Sequence, residues 1–425
     1  MDKGRPGAYA AHSTKDGGLF MPQNKKPVAG KNLAWLLTMV YFSSYVTRIN
    51  FAAVIQEVVT ATGFAKTDLS VALVCLSTAY GVGQIINGRL GDRIAPQNLI
   101  LLGLISATVI NAIFPALSHS TTLMAVVWGM NGFAQAMMWP PIVKILVANM
   151  DDAMYSYAVV RVSWGSSFGT IIVYLLSPLI IGLCGWQGVF FVSAVVGLIA
   201  VLLWLHVKNR IAVPRTEGRV SDKKAQFSFP RAAVFPMVFI ALGIIFQGML
   251  RDGISSWMPT LLAESFHLGN RTSIFCTVSL AVFSILSFSA ANFLYRRFFR
   301  NEVVCGGVIF IVSVVSALLL YFLFNSGALL SIFLMAVLTA CMHGVNLMLI
   351  THVPKRFKKY GNISTISGAV NSCTYIGSAI FTYAVALLSE KIGWQSTVGV
   401  WALIALLGTA CCFVAAGPWK KFYQE

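Results

Sequence analysis

Apolar segments of about twenty residues recur along this chain, separated by short polar stretches. Twelve can be counted, over 33–57, 70–88, 97–117, 122–147, 155–182, 188–207, 232–262, 272–294, 303–324, 329–352, 363–388 and 396–416. About 20 apolar residues is the helix length that crosses a ~30 Å hydrocarbon core. The segments do not alternate at period two, so a β-barrel is not predicted. One long polar interruption, KNRIAVPRTEGRVSDKKAQFSFPR at 208–231, divides six segments from six. The pattern predicts an all-α membrane protein of twelve transmembrane helices in two six-helix halves. The halves are expected at 32–207 and 232–417, with a disordered N-tail at 1–31, a linker at 208–231 and a C-tail at 418–425.

Composition agrees: of 425 residues, 57% are hydrophobic and 11% charged, with a mean hydropathy of +0.76. The net charge of +17 first suggests nucleic acid, but its placement argues otherwise. Of the 31 Lys and Arg, 25 fall on the tails, the linker and alternate loops, 3 on the remaining loops, and 3 inside spans. Lysine and arginine stay on the cytoplasmic side of a membrane. Both termini and the linker are therefore expected in the cytoplasm, and the basic loops to meet the lipid bilayer rather than nucleic acid. The eight cysteines are scattered singly without metal-ligand spacing. No cofactor or metal site is expected, and no cleavable signal peptide is evident.

The three embedded cations carry the functional reading. Arg48 in YVTRINF and Arg251 in MLRDGISSW each lie in the first long apolar segment of their half. A cation in hydrocarbon is costly, and arginine does not escape by deprotonating. A matched pair in two halves points to one central anion site. Tyr41, Tyr45 and Arg48 step by four and three, so they share a helix face. Phenols beside a guanidinium make a donor-rich surface, and Arg can grip phosphate or carboxylate with two parallel hydrogen bonds. Among the acids, Asp252 is the one well inside a span; as a neighbour of Arg251 it should point ~100° away around the helix, yet it could still partly neutralise the site. Arg161 lies near the end of its span, and its site and structural roles balance; Ser163, Ser166 and Ser167 follow it. His343 with Asn346, and Asn371 with Tyr375, form pairs on single helix faces, and Gln84 and Gln135 are further embedded polar candidates.

Proton-driven carriers use carboxylate or histidine relays, and here Asp252 and His343 are the obvious candidates. That scarcity favours exchange of one anion for another. No charged ring or filter-like loop suggests a channel. No Walker loop, HExxH or nucleophile elbow suggests an enzyme, so transport should be secondary. NGRLGDR (87–93) reads as a tight loop between spans two and three, its glycines permitting a sharp turn. Asp92 there could cap a helix N-terminus or pair with Arg89 or Arg93. Pro140 and Pro141 should kink span four.

These motifs resemble the organophosphate:phosphate antiporters of the major facilitator superfamily, the glycerol-3-phosphate and hexose-6-phosphate carriers. YVTRINFAAVI resembles their span-one R-x-N-F motif, and STAYGVGQIINGRLGDR their second span and signature loop (Gly88, Arg89, Gly91, Asp92, Arg93). NGFAQAMMWPPIVK resembles their span-four motif and MLRDGISSWMPTLL their span-seven motif. The resemblance implies Arg48 and Arg251 as the phosphate-binding pair, and Tyr41, Tyr45, Gln135 and Tyr375 along the pathway. It also implies alternating access by rocking of the halves. This chain departs from the family at four positions. Ser166 stands where the family has a span-five histidine, Ile49 and Gln84 replace lysines, and Ser256 replaces an acid. The site is less basic, and the organic substrate does not carry over.

The expectation is a monomeric, multi-pass transporter of the cell membrane, in the style of a bacterial inner membrane. It should carry a small organic anion, phosphorylated, against inorganic phosphate. A membrane sensor for a phosphorylated ligand and a proton-coupled carboxylate symporter are the alternatives. One tension remains: counted from the inner ends of their spans, Arg48 and Arg251 lie ~23–28 Å in at 1.5 Å per residue, the outer half of a straight ~30 Å core.

Overall fold

The computed structural model describes residues 28–64, 66–212, 229–268, 270–360 and 363–424. Nearly all of the expected N-tail and most of the linker lie outside the described residues. The chain runs through eleven α-helices: α1 (Gly30–Thr62), α2 (Lys66–Arg93), α3 (Pro96–Ile113), α4 (Thr121–Gln135), α5 (Trp139–Asn149), α6 (Asp152–Val207), α7 (Arg231–Phe266), α8 (Asn270–Leu294), α9 (Glu302–Phe322), α10 (Ala328–Asn346) and α11 (Ile363–Gln424). Eight of the described helical stretches are long and apolar enough to cross a membrane. With the family assignment below, this is a multi-pass membrane protein.

Three local breaks relate these helices to the apolar segments. The 56-residue α6 folds back at Gly185 (φ 70°) and the 62-residue α11 at Gly393 (φ 77°). Both sit in the left-handed region that glycine enters without steric cost. The two turns share the tripeptide Gly-Trp-Gln, at 185–187 and 393–395. The third break is a tight turn at Ala136–Met138 between α4 and α5, with Pro140 and Pro141 in the first turn of α5. Proline lacks the N–H that a continuing helix would need, and the predicted kink in span four takes this form.

α1 is 33 residues long and α7 is 36, or ~50 Å at 1.5 Å per residue. Both overhang a ~30 Å core, with Arg48 and Arg251 near their middles. In helices of that length a residue near the middle need not lie in the outer half of the core. The helix of α11 also continues through Gln424, so most of the stretch read as a C-tail is helical. Trp419 and Phe422 within it are buried against Phe357.

NGRLGDR is not a loop. α2 runs through Arg93, and the turn comes only before Pro96. The glycines serve close packing instead: a Cβ on Gly88 would stand 2.9 Å from the Ser364 carbonyl oxygen, and one on Gly368 would fall inside that of Gln84. Asp92 does cap a helix, and that helix is α11, far along the chain. Its carboxylate accepts from the Ser364 N–H at 3.2 Å and the Thr365 N–H at 2.8 Å. Its ion-pair partner is Lys144, at 3.6 Å, rather than Arg89 or Arg93, which are exposed.

These contacts join the N- and C-terminal helices at the end that carries the basic loops. Tyr155 Oη donates to the Thr351 carbonyl at 2.6 Å, and Lys355 pairs with Asp152 at 2.5 Å at the same end. Beyond them, toward the opposite end, α1, α2, α5, α6, α7, α8, α10 and α11 surround a cavity.

Candidate functional site

α1 enters the cavity with Tyr41, Tyr45 and Arg48 on one face, as the spacing predicts. What fixes that face is a polar cluster on its back. The Thr47 carbonyl, one residue before the arginine, accepts from Asn111 Nδ2 and Asn131 Nδ2, both at 2.9 Å. Gln135 Nε2 donates to Thr47 Oγ1 at 2.9 Å and its Oε1 accepts from Ser44 Oγ at 2.6 Å. Asn50 donates to Asn111 at 2.7 Å. All of these side chains are buried. Buried amides with partners hold a helix in one rotation, and each lost bond strands a polar group. Gln135 therefore lies behind α1, bonded into this cluster rather than lining the cavity. On α7, Gln247 plays a related part, donating to the Met342 carbonyl at 3.1 Å one turn before Arg251.

Arg48 is held by rings. Its guanidinium lies 4.1 Å from the Tyr45 ring centroid and 5.0 Å from that of Tyr80. Tyr80 meets Tyr375 at 4.5 Å, and Tyr375 lies 6.0 Å from the Arg251 guanidinium. Two phenols, one from each half, thus bridge the two arginines. Cation–π contact steadies a guanidinium without consuming its five N–H donors. Among the described residues no carboxylate lies within ion-pair distance of Arg48.

Arg251 is different. Its Nε and Nη2 donate to the two carboxylate oxygens of Asp252 at 2.6 and 2.9 Å. The sequence placed Asp252 off that face. Instead, both side chains curl into the cavity and pair fork to fork. Adjacent positions on a helix do not normally face each other, but a desolvated arginine draws the carboxylate that can reach it. The cavity thus contains one matched cation and one unmatched cation.

The volume is about 440 Å³, at the small end of ligand pockets. Ser166, His343, Asn371 and Tyr375 line it with the two arginines and Tyr41 and Tyr45. Ser166 Oγ donates to its own helix, to the Ser163 carbonyl at 2.6 Å. Arg161 does not reach the cavity; it stacks on Trp164, 4.1 Å from that ring, in a separate cleft. Gln84 is buried and also outside. Sequence reasoning missed Tyr80, which touches both sides of the site. The available signal was a phenol among small residues in STAYGVG, one helical turn before Gln84. It also missed Glu302, which is fully buried. That carboxylate accepts from Arg356 Nε and Nη2, both at 2.9 Å, and from the Trp419 indole at 3.0 Å.

Residues 37–382 match the Major Facilitator Superfamily. The chain belongs to that family. It is 25% identical over 411 residues to a glycerol-3-phosphate transporter of Bacillus subtilis, covering 88% of this chain and 89% of that one. It is 22% identical over 418 residues to a probable hexose phosphate transport protein of Chlamydia pneumoniae, covering 88% and 87%. The fold matches a crystal structure of FucP, a Major Facilitator Superfamily transporter in the outward conformation, with TM-score 0.71 at 15% identity over 92% of this chain and 98% of that one. The family's fold is thus shared, and the chain is a membrane transporter of this superfamily.

Proposed function

We propose that this transporter exchanges a small phosphorylated anion for inorganic phosphate by alternating access, with Arg48 and Arg251 as the clamp. One observation carries the reading: two arginines from opposite halves face one cavity, and Arg48 has no carboxylate among the described residues. Phosphate offers three or more acceptor oxygens, enough for one guanidinium fork from each half. Tyr41, Tyr45, Tyr80 and Tyr375 supply hydroxyls that accept or donate as the anion requires. Ser166, His343 and Asn371 face the organic part. The names of the relatives, glycerol-3-phosphate and hexose phosphate carriers, support a phosphorylated substrate.

In this reading Gly185, Gly393 and the α4–α5 turn give twelve spans in two halves. The basic-loop end is cytoplasmic, in the sense of the lysine and arginine bias, and both termini lie there. The inter-half contacts around Asp92, Tyr155 and Lys355 then close the cytoplasmic side, so the structure is the state open away from the cytoplasm. A monomer suffices, since both arginines come from one chain.

The test is exchange of labelled inorganic phosphate into proteoliposomes loaded with unlabelled phosphate, wild type beside Arg48→Lys. Arginine-dependent exchange supports the reading, and no exchange from folded wild-type protein refutes it. A second reading, a proton-coupled carboxylate symporter, is favoured by one observation: Asp252 and His343 line the same cavity. It requires uptake driven by an imposed pH gradient without phosphate inside.

A further inference from the structure

A second cavity, of about 490 Å³, opens between α6 and α8 on the flank of the molecule at the basic-loop end. Arg161 and Trp164 of α6 line it, with Asn292, Phe293, Arg296 and Arg297 of α8 and the turn that follows it. Three arginines share one cleft. Among the described residues no carboxylate lies within ion-pair distance of any of them. Arg161 is stacked rather than paired, 4.1 Å from the Trp164 ring, 5.0 Å from Tyr157 and 5.6 Å from Trp35. Trp35, beside Arg161, is 43% exposed and Phe293 in the lining 61%, and no residue lining this cleft lines the central cavity. Two buried polar atoms here have no partner: the Trp164 indole N–H, a donor, and the Asn292 side-chain oxygen, an acceptor.

The geometry points to a binding site for the headgroup of an anionic phospholipid that also carries a hydroxyl, such as phosphatidylglycerol. The depth fits. Arg161 lies ~14 Å along α6 from its first residue at 1.5 Å per residue, within reach of the interface by its long side chain. Arg296 and Arg297 sit at the end of α8, where headgroups lie. A phosphodiester accepts from the guanidinium groups and the indole, and a headgroup hydroxyl donates to Asn292. Acyl chains continue over Phe293. Basic pockets between spans are where anionic lipids dock. The inference is independent of what the central cavity carries.

The test is native mass spectrometry of delipidated protein in neutral detergent, offered equimolar phosphatidylglycerol and phosphatidylcholine of identical acyl chains. Wild type should retain phosphatidylglycerol about 10-fold over phosphatidylcholine, given three arginine contacts near the surface. Arg161→Gln/Arg296→Gln/Arg297→Gln should bring the two lipids to parity, while the three corresponding lysine substitutions keep a preference. Should the glutamine triple fail to fold, Arg297→Glu on the exposed rim should alone reduce retention several-fold. An unchanged preference in these variants overturns the site. Displacement of the lipid by micromolar glycerol phosphate overturns the lipid assignment and leaves a site for a soluble phosphate.

Discussion

In the proposed site Asp252 competes with the anion for Arg251, and replacing it by asparagine measures that competition. The carboxylate occupies two of the five guanidinium donors, at 2.6 and 2.9 Å. An anion on the free side of the same guanidinium would sit ~6 Å from the carboxylate. At an effective dielectric near 20, like unit charges at ~6 Å repel by about 2.8 kcal/mol. Each ~1.4 kcal/mol is a factor of ten, so Asp252→Asn should tighten binding of monovalent phosphate by up to about 100-fold. Desolvation of the bare arginine offsets part of this, and a gain of about 10-fold or more is expected. The assay is equilibrium binding of labelled phosphate to purified protein, beside exchange in proteoliposomes. Exchange should slow as binding tightens, because the anion must also leave. Unchanged or weaker binding in folded Asp252→Asn would show that the carboxylate supports the ligand rather than opposing it.

Arg48→Lys should weaken phosphate binding by more than about 10-fold, since a point charge does not replace a bidentate fork; wild-type affinity would remove Arg48 from the site. Ser166→His should tighten binding about 10-fold, the worth of one hydrogen bond to a charged group, because Ser166 spends its hydroxyl on its own helix; phosphate titration checks it. Asn131→Ala removes one of the two amide bonds to the Thr47 carbonyl, Asn111 keeping the other, so it should cost about 0.5–1.5 kcal/mol of stability and lower phosphate affinity with it, read as melting temperature and binding together. Gly368→Val puts a side chain into the Gln84 carbonyl at the α2–α11 contact, an overpacking worth about 1–3 kcal/mol; accessibility of a cysteine at the basic-loop end should rise.

The helices and the two arginines were legible because each rests on a local rule. Apolar length gives the span, and the cost of a buried cation makes Arg48 and Arg251 conspicuous. The Tyr41–Tyr45–Arg48 face follows from helical periodicity. Legibility ends where a property depends on residues far apart in the chain. Nothing near Gly88 announces that α11 will press against it, so its glycines read as a turn. Nothing near Gln135 shows Thr47, so a structural amide read as a ligand contact. Asp252 was legible as a possible neutraliser but not in its direction: an ideal helical wheel fixes Cβ directions, while the flexible arginine beside it bends to the carboxylate within reach. The Gly-Trp-Gln repeat was visible in the letters, and its meaning needed the two positive φ values.

The asymmetry between the arginines supplies a physical reason for the exchange proposed above. To reorient, a carrier of this kind passes through a state in which the cavity is closed at both ends. Closing an empty cavity would strand Arg48 without water or a carboxylate, and an uncompensated buried charge costs several kcal/mol. Arg251 incurs no such cost, because Asp252 travels with it on the same helix. A bound anion removes the penalty at Arg48 in either direction of movement. On that reading the loaded carrier should cross readily and the empty one should not, so net movement should require a return passenger. In Asp252→Asn the empty carrier would strand two cations, and exchange should become still more strictly coupled, with uptake into phosphate-free vesicles falling below that of wild type. In Arg48→Gln the penalty vanishes, and so does half of the clamp. Any transport left in that variant should run without internal phosphate. Residual uptake that still demanded a counter-anion would place the barrier elsewhere, in the α2–α11 and Asp92 contacts that hold the basic-loop end shut.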